Sequence, residues 1–172
     1  MKLARPAALL AFLVLSASCG RKAEAPAAEN AGSAWPPPDA SAGAFIPDHL
    51  RGDWKVYSHR AIGETSVPED VAVGFRGRPV TFTLEYAAFG PDTCRRPTYH
   101  AAMLRADSVL ASDYGASPSH FGFVGGATAI VTRTELRCGE QPWNSPAGLV
   151  MDMPDGHVYL VWNGTFFQLE RR

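Results

Sequence analysis

The chain has 172 residues, room for one domain, and its 46% hydrophobic and 19% charged residues are those of a globular rather than a disordered protein. Fourteen prolines and sixteen glycines favour many turns over long helices. A formal net charge of -1 excludes the basic footprint of a nucleic-acid binder and a polybasic hold on anionic lipid.

Lys2 and Arg5 form a positive n-region ahead of the apolar stretch Ala7–Ala17, which carries Leu9, Leu10, Phe12, Leu13, Val14 and Leu15. A stretch this short is a signal-peptide h-region, since a transmembrane helix needs about 20 apolar residues. The h-region ends in Leu15-Ser16-Ala17-Ser18-Cys19, which resembles the lipobox of bacterial lipoproteins. That resemblance implies cleavage before Cys19 and a diacylglyceryl group on its thiolate. The match departs at one position: Leu15 lies four residues before Cys19, and Ser16 holds the third. An ordinary secretory signal, with a small-x-small cleavage pattern at Ser16 and Ser18, is the alternative. By the same resemblance, Gly20 in place of Asp after the cysteine points to the outer membrane, with the domain facing the periplasm. Each acyl CH₂ buried in the membrane would contribute about 0.8 kcal/mol to anchoring.

Residues 20–44 change composition sharply, with nine Ala, four Pro, no Leu, Ile or Val, and Trp35 as the only aromatic. Such a segment buries too little apolar surface to offset its chain entropy and is expected to be a disordered linker. Trp35-Pro36-Pro37-Pro38 within it is expected to be locally extended. The organisation expected is therefore a signal peptide over 1–18, a lipidated cysteine and linker over 19–44, and a globular domain over 45–172.

That domain reads as β. In Val80-Thr81-Phe82-Thr83-Leu84-Glu85-Tyr86 apolar and polar residues alternate, which predicts one strand with Val80, Phe82, Leu84 and Tyr86 facing the core. Further strands are expected at Asp53–His59, Thr98–Leu104, Thr128–Cys138, Leu149–Met153, His157–Trp162 and Thr165–Glu170. Pro154-Asp155-Gly156 and Asn163-Gly164 are turn sequences, because Gly and Asn tolerate positive φ, so the last three strands should form an antiparallel meander. Asp107–Tyr114 reads as a short helix and Ser66–Val73 as a turn of another. Phe121-Gly122-Phe123-Val124-Gly125-Gly126 reads as a tight turn bearing two core aromatics, in preference to a mobile lip. Seven to nine short strands in such a length fit an antiparallel barrel or sandwich.

Leu50-Arg51-Gly52-Asp53-Trp54 opens the first strand, and Gly-x-Trp in that position resembles the lipocalins and related calycin barrels. The resemblance implies a small antiparallel up-and-down barrel, all-β or mainly β, whose floor Trp54 closes. It also implies a basic residue late in the last strand, Arg171 or Arg172, packed across that ring through a cation–π contact.

With Cys19 lipidated, Cys94 and Cys138 remain, and an even pair in an oxidising compartment reads as one disulfide. It would pin the turn-like Gly90-Pro91-Asp92-Thr93-Cys94 to a strand end. No Cys-x-x-Cys, nucleophile elbow, His-Glu-x-x-His or P-loop is present, so neither an enzyme nor a cofactor is expected. Glu69 and Asp70 read as solvated loop charge, and the histidines at 49, 59, 100, 120 and 157 as solvated or locally bonded, with no metal site.

Three functions fit this reading of a monomeric, membrane-tethered domain. A hollow barrel would hold a small apolar ligand or lipid, lined in part by small residues such as Ala101 and Gly148. A solid one would act on an envelope protein, as lysozyme and protease inhibitors do, through Gly115–His120 or through Gly139–Pro146 with Trp143. The third role is a structural accessory of envelope assembly.

Overall fold

Alternating and continuous apolar runs between turn residues produce ten short strands. A computed structural model describes residues 45–172 apart from Glu64 and Ala127. Cys19, the signal-like segment and the linker lie outside the described residues. In chain order the elements are β1 (Gly52–Ala61), α1 (Glu69–Gly74), β2 (Pro79–Phe82), β3 (Tyr86–Phe89), β4 (Asp92–Arg95), β5 (Thr98–Arg105) and α2 (Ala106–Tyr114). They continue as β6 (Ile130–Cys138), β7 (Gln141–Pro142), β8 (Leu149–Asp152), β9 (Val158–Trp162) and β10 (Thr165–Arg171), with 3-10 turns at Pro118–Phe121 and Pro146–Gly148. No helix among the described residues is long and apolar enough to cross a membrane.

The ten strands form one antiparallel sheet, curled into a half-barrel, in the order β4-β3-β2-β1-β10-β9-β8-β6-β5, with β7 paired to β6. This is the mainly β, up-and-down architecture expected. The first and last strands are paired, Trp54 opposite Arg171 and Ala61 opposite Thr165. The break in the curl falls between β4 and β5, which are consecutive in sequence but not hydrogen-bonded to each other. Two devices bridge that seam. The Cys94–Cys138 disulfide joins β4 to the end of β6 at a Cα separation of 5.6 Å, and the Tyr99 hydroxyl donates to the Thr83 carbonyl at 2.7 Å. Burial of that phenol pushes its pKa above the ordinary 10.0.

The concave face is packed with side chains from nearly every strand, including Trp54, Val56, Phe82, Phe89, Leu136, Leu160, Phe167 and Leu169. A second apolar layer lies on the convex face of β8–β10, where Val109 and Leu110 of α2 and Phe121 cover Met151, Tyr159, Val161 and Phe166. Both faces of β9 are thus buried, which explains why Val158-Tyr159-Leu160-Val161 runs apolar without alternation.

The single strand expected over Val80–Tyr86 is instead two. Thr83 donates its hydroxyl to the Tyr86 carbonyl at 2.7 Å and accepts the Tyr86 N–H at 3.0 Å. That closes a two-residue turn at Leu84-Glu85 between β2 and β3 and leaves Leu84 and Tyr86 43% and 41% exposed, off the core. Local side-chain bonding outcompeted the extended ladder. The turn read across Gly90–Cys94 is shorter, and Cys94 is a buried residue of β4. Glu69 and Asp70 open the first turn of α1 rather than lying in a loop.

The small residues expected to line a hollow interior differ in placement. Ala101 is exposed. Gly148 is buried against the Trp143 carbonyl, which leaves no room for a Cβ. In the Phe121–Gly126 segment, Phe121 is buried and Phe123 packs half-buried on the convex cluster, as expected, while Val124 points into solvent.

Candidate functional site

At the start of β1 and the end of β10, Trp54 and Arg171 face each other, with the guanidinium carbon 4.3 Å from the ring centroid. Of the two arginines considered from the sequence, it is Arg171 that lies over the ring. Its guanidinium also donates to the carbonyls of Arg51, at 2.8 Å, and His49. The Trp54 indole N–H reaches the Leu50 carbonyl at 2.8 Å. Trp54 and Arg171 together therefore hold the entering segment, in which Ile46 and Leu50 are fully buried. Gly52 is needed here because its φ is +118° and a Cβ would meet the Arg171 guanidinium at 3.1 Å. Arg171→Ala is expected to cost about 1–2 kcal/mol, from the lost cation–π contact and two charge-assisted bonds. Arg171→Lys, lacking the planar fork, should recover less than half of that loss in thermal unfolding.

The segment before β1 also brings a histidine to a buried carboxylate: His49 Nε2 lies 3.0 Å from Asp152 Oδ2 in β8. Burial raises the Asp152 pKa above 3.8, with His49 offsetting part of the rise. A carboxyl whose folded pKa is raised binds its proton more tightly in the native state. Its stabilising contribution is full at low pH and is lost as pH rises from 3.8 through the raised value. Asp152→Asn should therefore flatten that part of the stability–pH curve, as read by chemical denaturation of both proteins from pH 3 to 7.

Two open clefts lie on the outer surface. One, of about 370 Å³, is lined by Lys55, Val56, Tyr57, Ser58, Arg76, Gly77 and Glu170. It forms where the β1–β10 register slips between Val56 and Ser58, a bulge that turns Tyr57 outward, 55% exposed. Lys55 and Glu170 close one wall with a 2.7 Å ion pair. The second, of about 480 Å³, lies between the end of β1 and the end of α2 and is lined by Ile62, Gly63, Asp113, Tyr114, Gly115 and Gly164. In the first, the Ser58 hydroxyl donates to the Gln168 side-chain carbonyl at 3.1 Å, while Lys55 and Glu170 engage each other.

The histidines are dispersed, each engaged locally: His49 with Asp152, His59 with Glu69 at 3.1 Å, His100 with Thr98, His120 with Ser117, and His157 with Asp155 at 2.8 Å. No three metal-ligating side chains converge among the described residues. Of the loops considered for partner contact, Gly115–His120 is built as a helix end and a capped 3-10 turn, with Gly115 left-handed at the α2 C-terminus. The other, Gly139–Pro146, carries Trp143 partly buried against the concave core.

A further surface feature had no signature in the sequence. β5 is eight residues long and forms the free edge of the sheet beyond β6. Its Ala101, Met103 and Arg105 side chains are exposed, Met103 at 76%. The other edge, β4, has four residues and is followed by Arg96 and Pro97, features that blunt an edge. Compared with protein families, curated proteins and solved structures, the chain matches none.

Proposed function

We propose that this chain is a lipid-anchored envelope protein whose β-domain is an interaction module, engaging another envelope protein through its outer surface. One observation carries the choice over a ligand carrier: the concave face is filled. Phe82 and Phe167 are fully buried, and Phe89, Val56 and Val80 almost so. Phe75 packs on Phe89 and Phe167 at ring separations of 4.9 and 5.3 Å. A carrier of lipid needs several hundred Å³ of apolar space where these rings meet. The anchoring half of the reading rests on Cys19 at the end of the h-region.

The test has two arms. Crosslinking of the tethered protein in its own cell envelope, followed by mapping of crosslinked residues, should place a discrete partner on the outer surface of the half-barrel. Native mass spectrometry of the same preparation should show the protein without a stoichiometric lipid beyond its own acyl chains. A stoichiometric apolar ligand would overturn the interaction reading in favour of a carrier. Separately, a Cys19→Ser variant should leave the membrane fraction; continued partitioning with membranes would remove the anchor from the proposal.

A further inference from the structure

We infer that the free edge of β5 is the docking site for an extended, acid-flanked segment of a partner protein, which adds to the sheet as an eleventh strand. The inference rests on the interaction reading and names the surface that would carry it.

An edge strand presents a row of unpaired N–H and C=O groups, and proteins shield such rows with short strands, prolines, bulges or cover from other elements. Over Thr98–Arg105 β5 is long, contains no proline or bulge, and pairs with β6 in unbroken register from Thr98/Arg137 to Arg105/Ile130, with the Tyr99 hydroxyl reaching the Thr83 carbonyl across the seam near its start. Among the described residues no backbone hydrogen bond outside the β5–β6 ladder involves residues 98–104. Beside the edge, Met103 and the cross-strand neighbour region of Ile130 expose apolar surface continuous with the main-chain groups. Main-chain bonding would supply affinity there, and an apolar side chain set against Met103 would supply register.

The charges select the occupant. Arg95 and Arg96 are exposed just before β5 and make no ion pair among the described residues, and Arg105 ends the strand with only a 3.8 Å contact to Asp107. Glu85, whose carbonyl accepts the Arg96 N–H at 2.7 Å, forms no ion pair with that guanidinium. Both ends of the edge thus carry arginine, unpaired among the described residues at the start and 3.8 Å from the Asp107 carboxylate at the end. A second copy pairing antiparallel would bring Arg105 of each strand beside Arg95 and Arg96 of the other, and like charges placed opposite are destabilising. A segment with carboxylates at its two ends meets complementary charge at both.

The probes are two synthetic peptides with one alternating Val-Thr core, flanked by Glu-Asp at both ends in one and by Lys-Lys in the other. They are titrated into the purified full chain and followed by fluorescence anisotropy, with amide exchange locating the contact. The acid-flanked peptide should bind at least 10-fold tighter than its twin and slow exchange along β5. Arg96→Glu combined with Arg105→Glu should reverse the preference. Successive N–H groups of a strand point to opposite sides, so one of Ala101→Pro and Ala102→Pro removes only an outward donor. That variant should fold and lose binding. Equal binding of the two peptides, no binding of either, or protection gained only around Tyr57 would overturn the inference. Should both proline variants unfold, the charge reversal and the exchange map still decide it. Failure here with a partner crosslinked elsewhere on the surface would leave the interaction reading standing; a stoichiometric lipid would remove both.

Discussion

Replacing Cys94 and Cys138 together by alanine is expected to lower the free energy of unfolding by about 4 kcal/mol. The separation of 44 residues sets that figure, through the chain entropy which the cross-link removes from the unfolded state. The consequence reaches beyond entropy because of where the bridge sits. β4 pairs only with β3, and β5 only with β6, so the disulfide is the covalent tie across the open seam of the curl besides the Arg96-Pro97 connection. The hydrogen bond from Tyr99 to the Thr83 carbonyl crosses the same seam. Amide exchange in the reduced or doubly substituted protein should therefore accelerate first in β3, β4 and the start of β5. The β1–β10–β9 region, paired on both sides, should keep its protection. Uniform acceleration over all strands would show that the bridge acts through the unfolded chain alone. Tyr99→Phe in the same background isolates the hydroxyl and should add about 1 kcal/mol more.

What could be read from the sequence follows from which forces are local. The last three strands, their Asp155-Gly156 and Asn163-Gly164 turns and the short helix over 107–114 fall where expected, because turn chemistry and apolar runs are local signals. The pairing of Cys94 with Cys138 and the stacking of a C-terminal arginine on Trp54 were legible for a different reason. The cysteines are scarce and have few possible partners, and the arginine was expected from the resemblance of Gly52-Asp53-Trp54 to the calycin opening. The break after Phe82 was not legible: Val80–Tyr86 alternates perfectly, and only the Thr83 side chain bonding the Tyr86 backbone reveals the turn. The surface features were hidden more deeply. The bulge that exposes Tyr57 depends on the register of β1 against β10, which lie over a hundred residues apart. The free edge at β5 depends on where a circular order of strands fails to close, and no residue of β5 marks it.

Phe167→Ala is expected to be as damaging as loss of the disulfide, and it tests the filled interior directly. Phe167 is fully buried in the middle of β10, a strand flanked by β1 and β9, and its ring meets Phe75 at 5.3 Å and His59 at 6.2 Å. Truncating such a residue costs the transfer free energy of the ring plus that of the cavity left behind, about 3–5 kcal/mol. For a domain of this size that corresponds to a fall in Tm of roughly 10–20 °C. The neighbours are themselves large and held by β1, α1 and β9, so collapse into the space should be limited and the upper half of the range applies. The same variant separates the two views of the interior. A packed core gains a new cavity on truncation, and small apolar probes such as benzene should bind it and restore part of the lost stability. In a domain already hollow, ring loss would enlarge an existing space, the cost would fall near the bare transfer value of about 2 kcal/mol, and the unsubstituted protein would bind the probe as well.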